Sequence, residues 1–189
     1  MRYILASKSP RRKELMKLIS SDFLIAVEDI DEESSYLLPP IEAVKDIAKR
    51  KGEAVDKLYP NDLVISADTI VVLNNQIIGK PVDEEDAKRI LRLLSNKTHY
   101  VYTAYRVKYL NKIIINYVGS EVIFNELSEE LIDQYVASGS PLDKAGAYGV
   151  QDNDKFPIIK KVIGSRDNVV GFPIKEIKDD IKKIISSCD

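Results

Sequence analysis

Sulfur and imidazole are scarce in this chain of 189 residues, which has one cysteine, Cys188, and one histidine, His99. A lone cysteine can close no intramolecular disulfide and build no cysteine-based zinc cage. A lone histidine excludes a zinc hydrolase resting on several imidazoles, and any triad that needs a histidine elsewhere; His99 itself reads as a strand residue. Long apolar runs are also missing. Met1-Arg2-Tyr3-Ile4-Leu5-Ala6 turns polar at once, without an apolar segment of signal-peptide length, and nothing later is long enough to span a bilayer. The expected location is the cytoplasm, with no membrane partner. No tract rich in Gly, Ser or Pro, no repeat and no low-complexity segment divides the chain, so residues 1–189 read as one domain with room for two lobes. Surplus charge is small as well. A net charge of -2 gives no global attraction to nucleic acid, so an anionic ligand must be held by a local cluster of Lys and Arg, which favours a small phosphorylated molecule.

What is present is an alternation of helix and strand patterns. Residues 2–6 read as a short buried strand, and Ser9-Pro10 supplies an N-cap and a first helical residue for a helix bearing Leu15, Leu18 and Ile19. A second helix follows Pro39-Pro40, with Val44, Ala48 and Val55 on one stripe. Leu63 to Leu73 is a continuous β-branched run closed by Asn74-Asn75, with a hairpin strand expected through Ile77-Ile78. Asp83 caps a helix whose Ala87, Ile90, Leu91 and Leu94 repeat at helical spacing, and residues 99–109 pair with 112–124 as a long hairpin. Ser128 to Ser138 reads as helix ending at Gly139, 140–152 as a small-residue loop, 156–163 as a strand, and a last helix starts near 173 with Ile174, Ile177, Ile181 and Ile184 buried. The expected class is α/β with a mixed, hairpin-rich sheet flanked by helices.

Several residues sit where bulk physics would not put them. Lys8, Arg11, Arg12 and Lys13 crowd the start of a helix whose amides already carry positive partial charge; a phosphate chain would relieve that repulsion, although a solvated basic turn accounts for it equally. Asp68 interrupts the buried run Val64-Ile65-Ser66-Ala67-Asp68-Thr69-Ile70, where an ionised carboxylate is costly unless paired or metal-bound. Magnesium, which takes oxygen ligands and uses one or two carboxylates plus substrate phosphates, suits such a position, and a structural aspartate in a bulge or ion pair is the alternative. Lys51 shares a helical face with Val44, Ala48 and Val55, so it either snorkels to the rim or meets an anion in a cleft. Lys80 ends a hairpin strand in Ile78-Gly79-Lys80-Pro81, where an exposed turn lysine would be ordinary. The run Glu28-Asp29-Ile30-Asp31-Glu32-Glu33 could lend a metal oxygen or be a solvated loop. In Gly139 to Gln151, three glycines and two alanines either leave room for a flat ligand or form an ordinary small-residue turn, and Gln151 carries the donor and acceptor needed to read the imide edge of uracil or thymine.

Together these segments resemble the Maf family of nucleotide pyrophosphatases. The resemblance rests on Leu5-Ala6-Ser7-x-Ser9-Pro10-Arg11-Arg12, Ala67-Asp68-Thr69, Gly79-Lys80-Pro81, Pro141-Leu142-Asp143-Lys144-Ala145-Gly146-Ala147-Tyr148-Gly149-x-Gln151 and Asn168-Val169-Val170-Gly171-x-Pro173, in family order over nearly the whole chain. It implies an elongated α/β fold similar to that of inosine triphosphate pyrophosphatases, with two lobes around a central cleft. Arg11, Thr69 and Gln151 match the base-facing positions of a branch acting on dTTP and UTP; a second branch, acting on 7-methyl-GTP, looks like Ser-Pro-Trp-Arg, Ser-Asp-Gln and a final Glu. Asp68 matches the family's proton acceptor, and Ser7, Arg12, Glu32, Lys51 and Lys80 its other polar cleft positions. Three places depart from the pattern: Ser140 stands where Glu is usual, Asp152 where Gly is usual, and Gly164-Ser165-Arg166-Asp167 is unusual before Asn168.

The resemblance implies hydrolysis of a nucleoside triphosphate, dTTP, UTP or a modified pyrimidine nucleotide, to the monophosphate and pyrophosphate. Magnesium or manganese held by Asp68 with Glu32 would bridge the phosphates, while Arg12, Lys51 and Lys80 offset charge on the departing pyrophosphate. Asp68 either takes the proton from water or acts through the metal. A homodimer is what the family suggests. The rival readings are a pyrophosphatase for other modified nucleotides such as 7-methyl-GTP, and a nucleotide-binding regulator of cell division without turnover.

Overall fold

The computed structural model describes residues 1–188. Among these residues, seven strands form a mixed sheet: β1 (Tyr3–Leu5), β2 (Leu24–Ile25), β3 (Leu63–Leu73), β4 (Gln76–Ile78), β5 (Thr98–Tyr109), β6 (Lys112–Phe124) and β7 (Ile159–Ile163). Their order is β2-β1-β3-β5-β6-β7, with β4 pairing on β3. β1 runs parallel to both β2 and β3, whereas β3 with β4 and β6 with β7 are antiparallel. Among the described residues, six α-helices accompany them: α1 (Pro10–Met16), α2 (Pro40–Asp56), α3 (Glu84–Leu94), α4 (Glu129–Ala137), α5 (Arg166–Val170) and α6 (Ile174–Ser186). The expected α/β class with a mixed sheet flanked by helices is what the chain adopts.

Two compact units emerge, one comprising 1–68, 103–118 and 171–189, the other 69–102 and 119–170. The first packs Leu5, Met16, Leu63, Ile65, Ala67, Tyr105 and Phe172 against the Ile174, Ile177, Ile181 and Ile184 face of α6. That is the stripe the helical period demands. The second packs Ala87, Ile90, Leu91 and Leu94 of α3 with Ile132, Tyr135 and Val136 of α4, and Val122 and Phe124 of β6. Asp83 caps α3 by accepting from the Asp86 amide (2.8 Å), and Asn74 and Asn75 both take positive φ (49° and 62°), the turn that a tight hairpin of right-twisted strands requires.

Several features differ from the sequence reading. α1 stops at Met16, so Leu18 and Ile19 lie beyond it in a turn, and Leu18 is exposed. The two-residue β2, the 3-10 turn at Glu33–Leu37 and the short α5 were not anticipated. Segments this short carry too few residues to display a period.

Candidate active site

Asp68 sits on β3 with only 7% of its surface exposed. Its charge is met by Lys51, whose Nζ donates to Asp68 Oδ1 at 2.7 Å and lies 2.8 Å from Glu32 Oε1. The lysine on the apolar stripe of α2 therefore points inward, between two carboxylates. Lys51 reaches them because Ala48 and Gly52 let α2 lie close on β3: Ser66 Oγ donates to the Ala48 carbonyl (2.6 Å), and a Cβ at Gly52 would come within 2.7 Å of Ser66 Oγ. The loop carrying Glu32 is fastened to the same helix. Ser35 Oγ donates to Asp46 Oδ2 (2.8 Å), and Arg50 Nη1 donates to Ser34 Oγ (3.0 Å) and Ser35 Oγ (3.1 Å).

Arg12 enters from α1. Its Nε donates to the Gly171 carbonyl (2.9 Å) and its Nη1 to Ser7 Oγ (3.3 Å), which also accepts from the Ser9 amide (3.3 Å). Burial pulls the guanidinium below its usual range; the charge of Asp68 opposes this, Arg11 adds to it, and Glu32 opposes it again. Arg12 thus feels both carboxylates and the neighbouring cation. The amides of α1 contribute less than the sequence suggested, because Pro10 has no N–H and Ser9 Oγ takes the Arg12 amide (3.4 Å). Anion binding here falls mainly to side chains.

Tyr36, in the turn after Glu32, was missed from sequence. Burial, then the charges of Asp68 and Glu32, push its phenol up to about 12, so it stays a neutral hydroxyl beside the carboxylates. Nothing in an acidic run followed by Ser-Ser-Tyr marks such a residue. Gly171, in the last of the motifs, turns its carbonyl toward Arg12 at a positive φ of 110°.

Ser7, Arg12, Glu32, Lys51 and Asp68 are thus brought together within the first unit, with Arg11 beside Arg12 on α1. Thr69, Lys80 and Gln151 belong to the second unit. Thr69 follows Asp68 on β3, so its side chain projects from the opposite sheet face. Lys80 is exposed just after β4, where the Gly79 carbonyl accepts from the Gly146 amide (3.0 Å), tying the lysine's turn to the 139–152 loop. Gln151 is exposed at the end of that loop. The glycines there do not all leave free space: Val71 fills the side-chain position at Gly146, and Gln151 and Lys144 fill that at Gly149. Only Gly139 of the three has nothing nearby. The small residues accommodate the protein's own side chains, because the loop folds back on β3 and on itself.

Asp68 and Glu32 offer carboxylate oxygens that share one ammonium, hence close to each other, and neither thiolate nor imidazole is among them. Such a pair fits a hard cation whose remaining ligands are water and phosphate. Among the described residues no group of three or more His, Cys, Asp or Glu is gathered as a closed cage.

The fold is the α/β architecture represented by Ham1 proteins: the Staphylococcus aureus Ham1 structure matches with a TM-score of 0.57 over 97% of this chain and 99% of that one, at 15% identity. The Coxiella burnetii HAM1 structure matches at 0.53, with 13% identity. These likenesses concern the fold alone, and they meet the expected inosine triphosphate pyrophosphatase-like architecture. Within that class, residues 2–184 match the model of the Maf-like protein family, and the chain belongs to that family. A Bacillus cereus relative named dTTP/UTP pyrophosphatase is 43% identical over 180 residues, 95% of this chain and 94% of its own length. One from Bacillus mycoides bearing the same name is 43% identical over 183 residues, 97% and 95% of the two chains.

Proposed function

We propose that the protein hydrolyses nucleoside triphosphates, dTTP and UTP foremost, between the α- and β-phosphates, releasing the monophosphate and pyrophosphate. The observation that carries this reading is the Asp68–Lys51–Glu32 cluster with Arg12 beside it: two carboxylates and two cations in one unit of the fold. Carboxylates to activate water next to cations to bind phosphate are the two halves of phosphoanhydride hydrolysis. The names of the Bacillus relatives support the substrate class.

In this reading Asp68 takes the proton of the water that attacks the α-phosphorus. Lys51, now shared between carboxylates, exchanges them for phosphate oxygens when substrate enters. Arg12, held by Ser7 Oγ and the Gly171 carbonyl, is oriented before substrate arrives and loses little rotamer freedom on binding. Lys80 offsets charge on the departing pyrophosphate, while Arg11, Thr69 and Gln151 select the base. Magnesium or manganese held by Asp68 and Glu32 would supply charge neutralisation of the triphosphate. The enzyme is read as a single catalytic domain over residues 1–189, acting in the cytoplasm as a homodimer on a small-molecule substrate, without nucleic acid or membrane.

The test is incubation of the purified protein with UTP and magnesium, with pyrophosphate and orthophosphate measured separately. Pyrophosphate is expected; orthophosphate alone would make it a γ-phosphate hydrolase. Competition among UTP, dTTP, 5-methyl-UTP, 7-methyl-GTP and ITP sets the base preference.

A further inference from the structure

The loop that ends in Gln151 is held by a polar cluster that the reaction itself does not use. Lys144, whose side chain is 9% exposed, donates through Nζ to the Ser140 carbonyl, to Ser140 Oγ (3.0 Å) and to Asp143 Oδ1 (2.9 Å), and lies 4.0 Å from Asp152 Oδ2. Asp152 Oδ2 accepts from Ser140 Oγ and from the Tyr135 hydroxyl, both at 2.7 Å. The Tyr135 oxygen in turn accepts from the Gly149 amide (3.0 Å). Gln151 therefore stands between two anchored neighbours: Gly149, fixed through Tyr135, and Asp152, fixed through Tyr135 and Ser140. Its amide and the Lys144 stem both lie in the space a side chain at 149 would need, 2.5 Å and 2.8 Å from that Cβ position.

We propose that Asp152 is a positioning residue for base selectivity: with Tyr135, Ser140 and Lys144 it fixes the backbone on either side of Gln151, so that the glutamine amide meets the imide edge of a uracil or thymine in one orientation. The inference rests on the reading of Gln151 as the base-selecting residue. Carboxamide recognition depends on orientation, since a half-turn exchanges donor and acceptor and would favour the opposite pattern, that of cytosine. A surface glutamine with free backbone would sample both. A carboxylate at 152 can hold the loop because one oxygen receives two hydroxyl donors while the nearby ammonium offsets its charge. The two loop positions that depart from the family pattern, Ser140 and Asp152, are hydrogen-bonded to each other. The acidic partner of this cluster stands at 152 in a chain that has serine at 140.

The test compares wild type, Asp152→Asn, Tyr135→Phe, and the double variant Ser140→Glu/Asp152→Gly, which moves the carboxylate back across the pair. Binding of UMP and CMP is measured by titration, and UTP and CTP turnover on the same preparations. Wild type is expected to prefer UMP over CMP. Asp152→Asn and Tyr135→Phe are expected to shrink that ratio about tenfold, equivalent to ~1.4 kcal/mol, and to raise KM for UTP with kcat changed less than about threefold. The double variant is expected to regain most of the ratio, which a merely destabilised loop would not do. A UMP:CMP ratio unchanged in both single variants overturns the proposal, as does a wild type without preference, or a loss confined to kcat. Absence of pyrophosphate release with the UMP preference intact would count against the proposed activity alone, because the binding titrations decide the role of Asp152 independently.

Discussion

Lys51 carries two opposed demands at once. A carboxylate in the middle of a buried strand must be compensated, and a phosphate-binding lysine must be kept close to where phosphate arrives; one ammonium at 2.7 Å from Asp68 and 2.8 Å from Glu32 does both. Replacing Asp68 by Asn keeps shape and removes the proton acceptor, so pyrophosphate release should fall at least about a hundredfold while the thermal midpoint changes little. Near-normal turnover of Asp68→Asn with magnesium present would refute its role. Lys51→Met should do more harm to stability, because it leaves two neighbouring carboxylates with no shared cation; the thermal midpoint is expected to fall.

His99 gives a second prediction at this scale. It is fully buried beside Phe124 and Tyr148, its Nε2 lies 2.7 Å from the Tyr148 hydroxyl, and its Nδ1 has no hydrogen-bond partner among the described residues. Burial lowers its pKa from 6.5 to about 4. The folded state therefore holds its proton less tightly than the unfolded chain, and stability present above pH 6.5 is lost as pH falls toward 4. The loss attributable to this group is on the order of 3 kcal/mol. His99→Gln removes the titration, so the variant's unfolding free energy, measured by denaturant titration across that window, should decline less steeply than wild type. Parallel slopes would show that His99 does not set the acid limit.

Among the elements, α1 and the 139–152 loop depend on single backbone devices. Ser9 Oγ accepts the Arg12 amide, so Ser9→Ala should destabilise by about 1 kcal/mol. It should also raise KM for UTP, since the cap fixes the turn that aims Arg12. Gly146 has φ of 71°, and a Cβ there would meet Val71 Cγ2 at 2.9 Å. Gly146→Ala is therefore expected to cost roughly 1–3 kcal/mol, read as a lowered denaturant midpoint. Periodic elements were legible from sequence: β3 spans Leu63–Leu73 and α3 begins after its Asp83 cap, because eleven residues of one pattern leave little choice. The turn at Glu33–Leu37 was not legible, since it is fixed by Ser35 reaching to Asp46 of α2 and by Arg50 of α2 reaching back to Ser35, and it carries no period of its own.

For the whole molecule, one cysteine means that reductant should leave the thermal midpoint unchanged. A chelator should abolish pyrophosphate release yet leave that midpoint in place, because the described residues gather no metal cage that the fold could depend on. No described helix is long and apolar enough to cross a membrane. The sequence by itself determined the class of the fold, the burial of Asp68 and the family, because each is written in local pattern: a β-branched run, a helical stripe, a string of motifs. Only the tertiary structure decided that one Lys51 ammonium meets Asp68 and Glu32 together, and that Asp152 serves Tyr135 and Ser140. Those outcomes depend on which side chains long-range packing brings within hydrogen-bonding distance, and no spacing along the chain encodes such a distance.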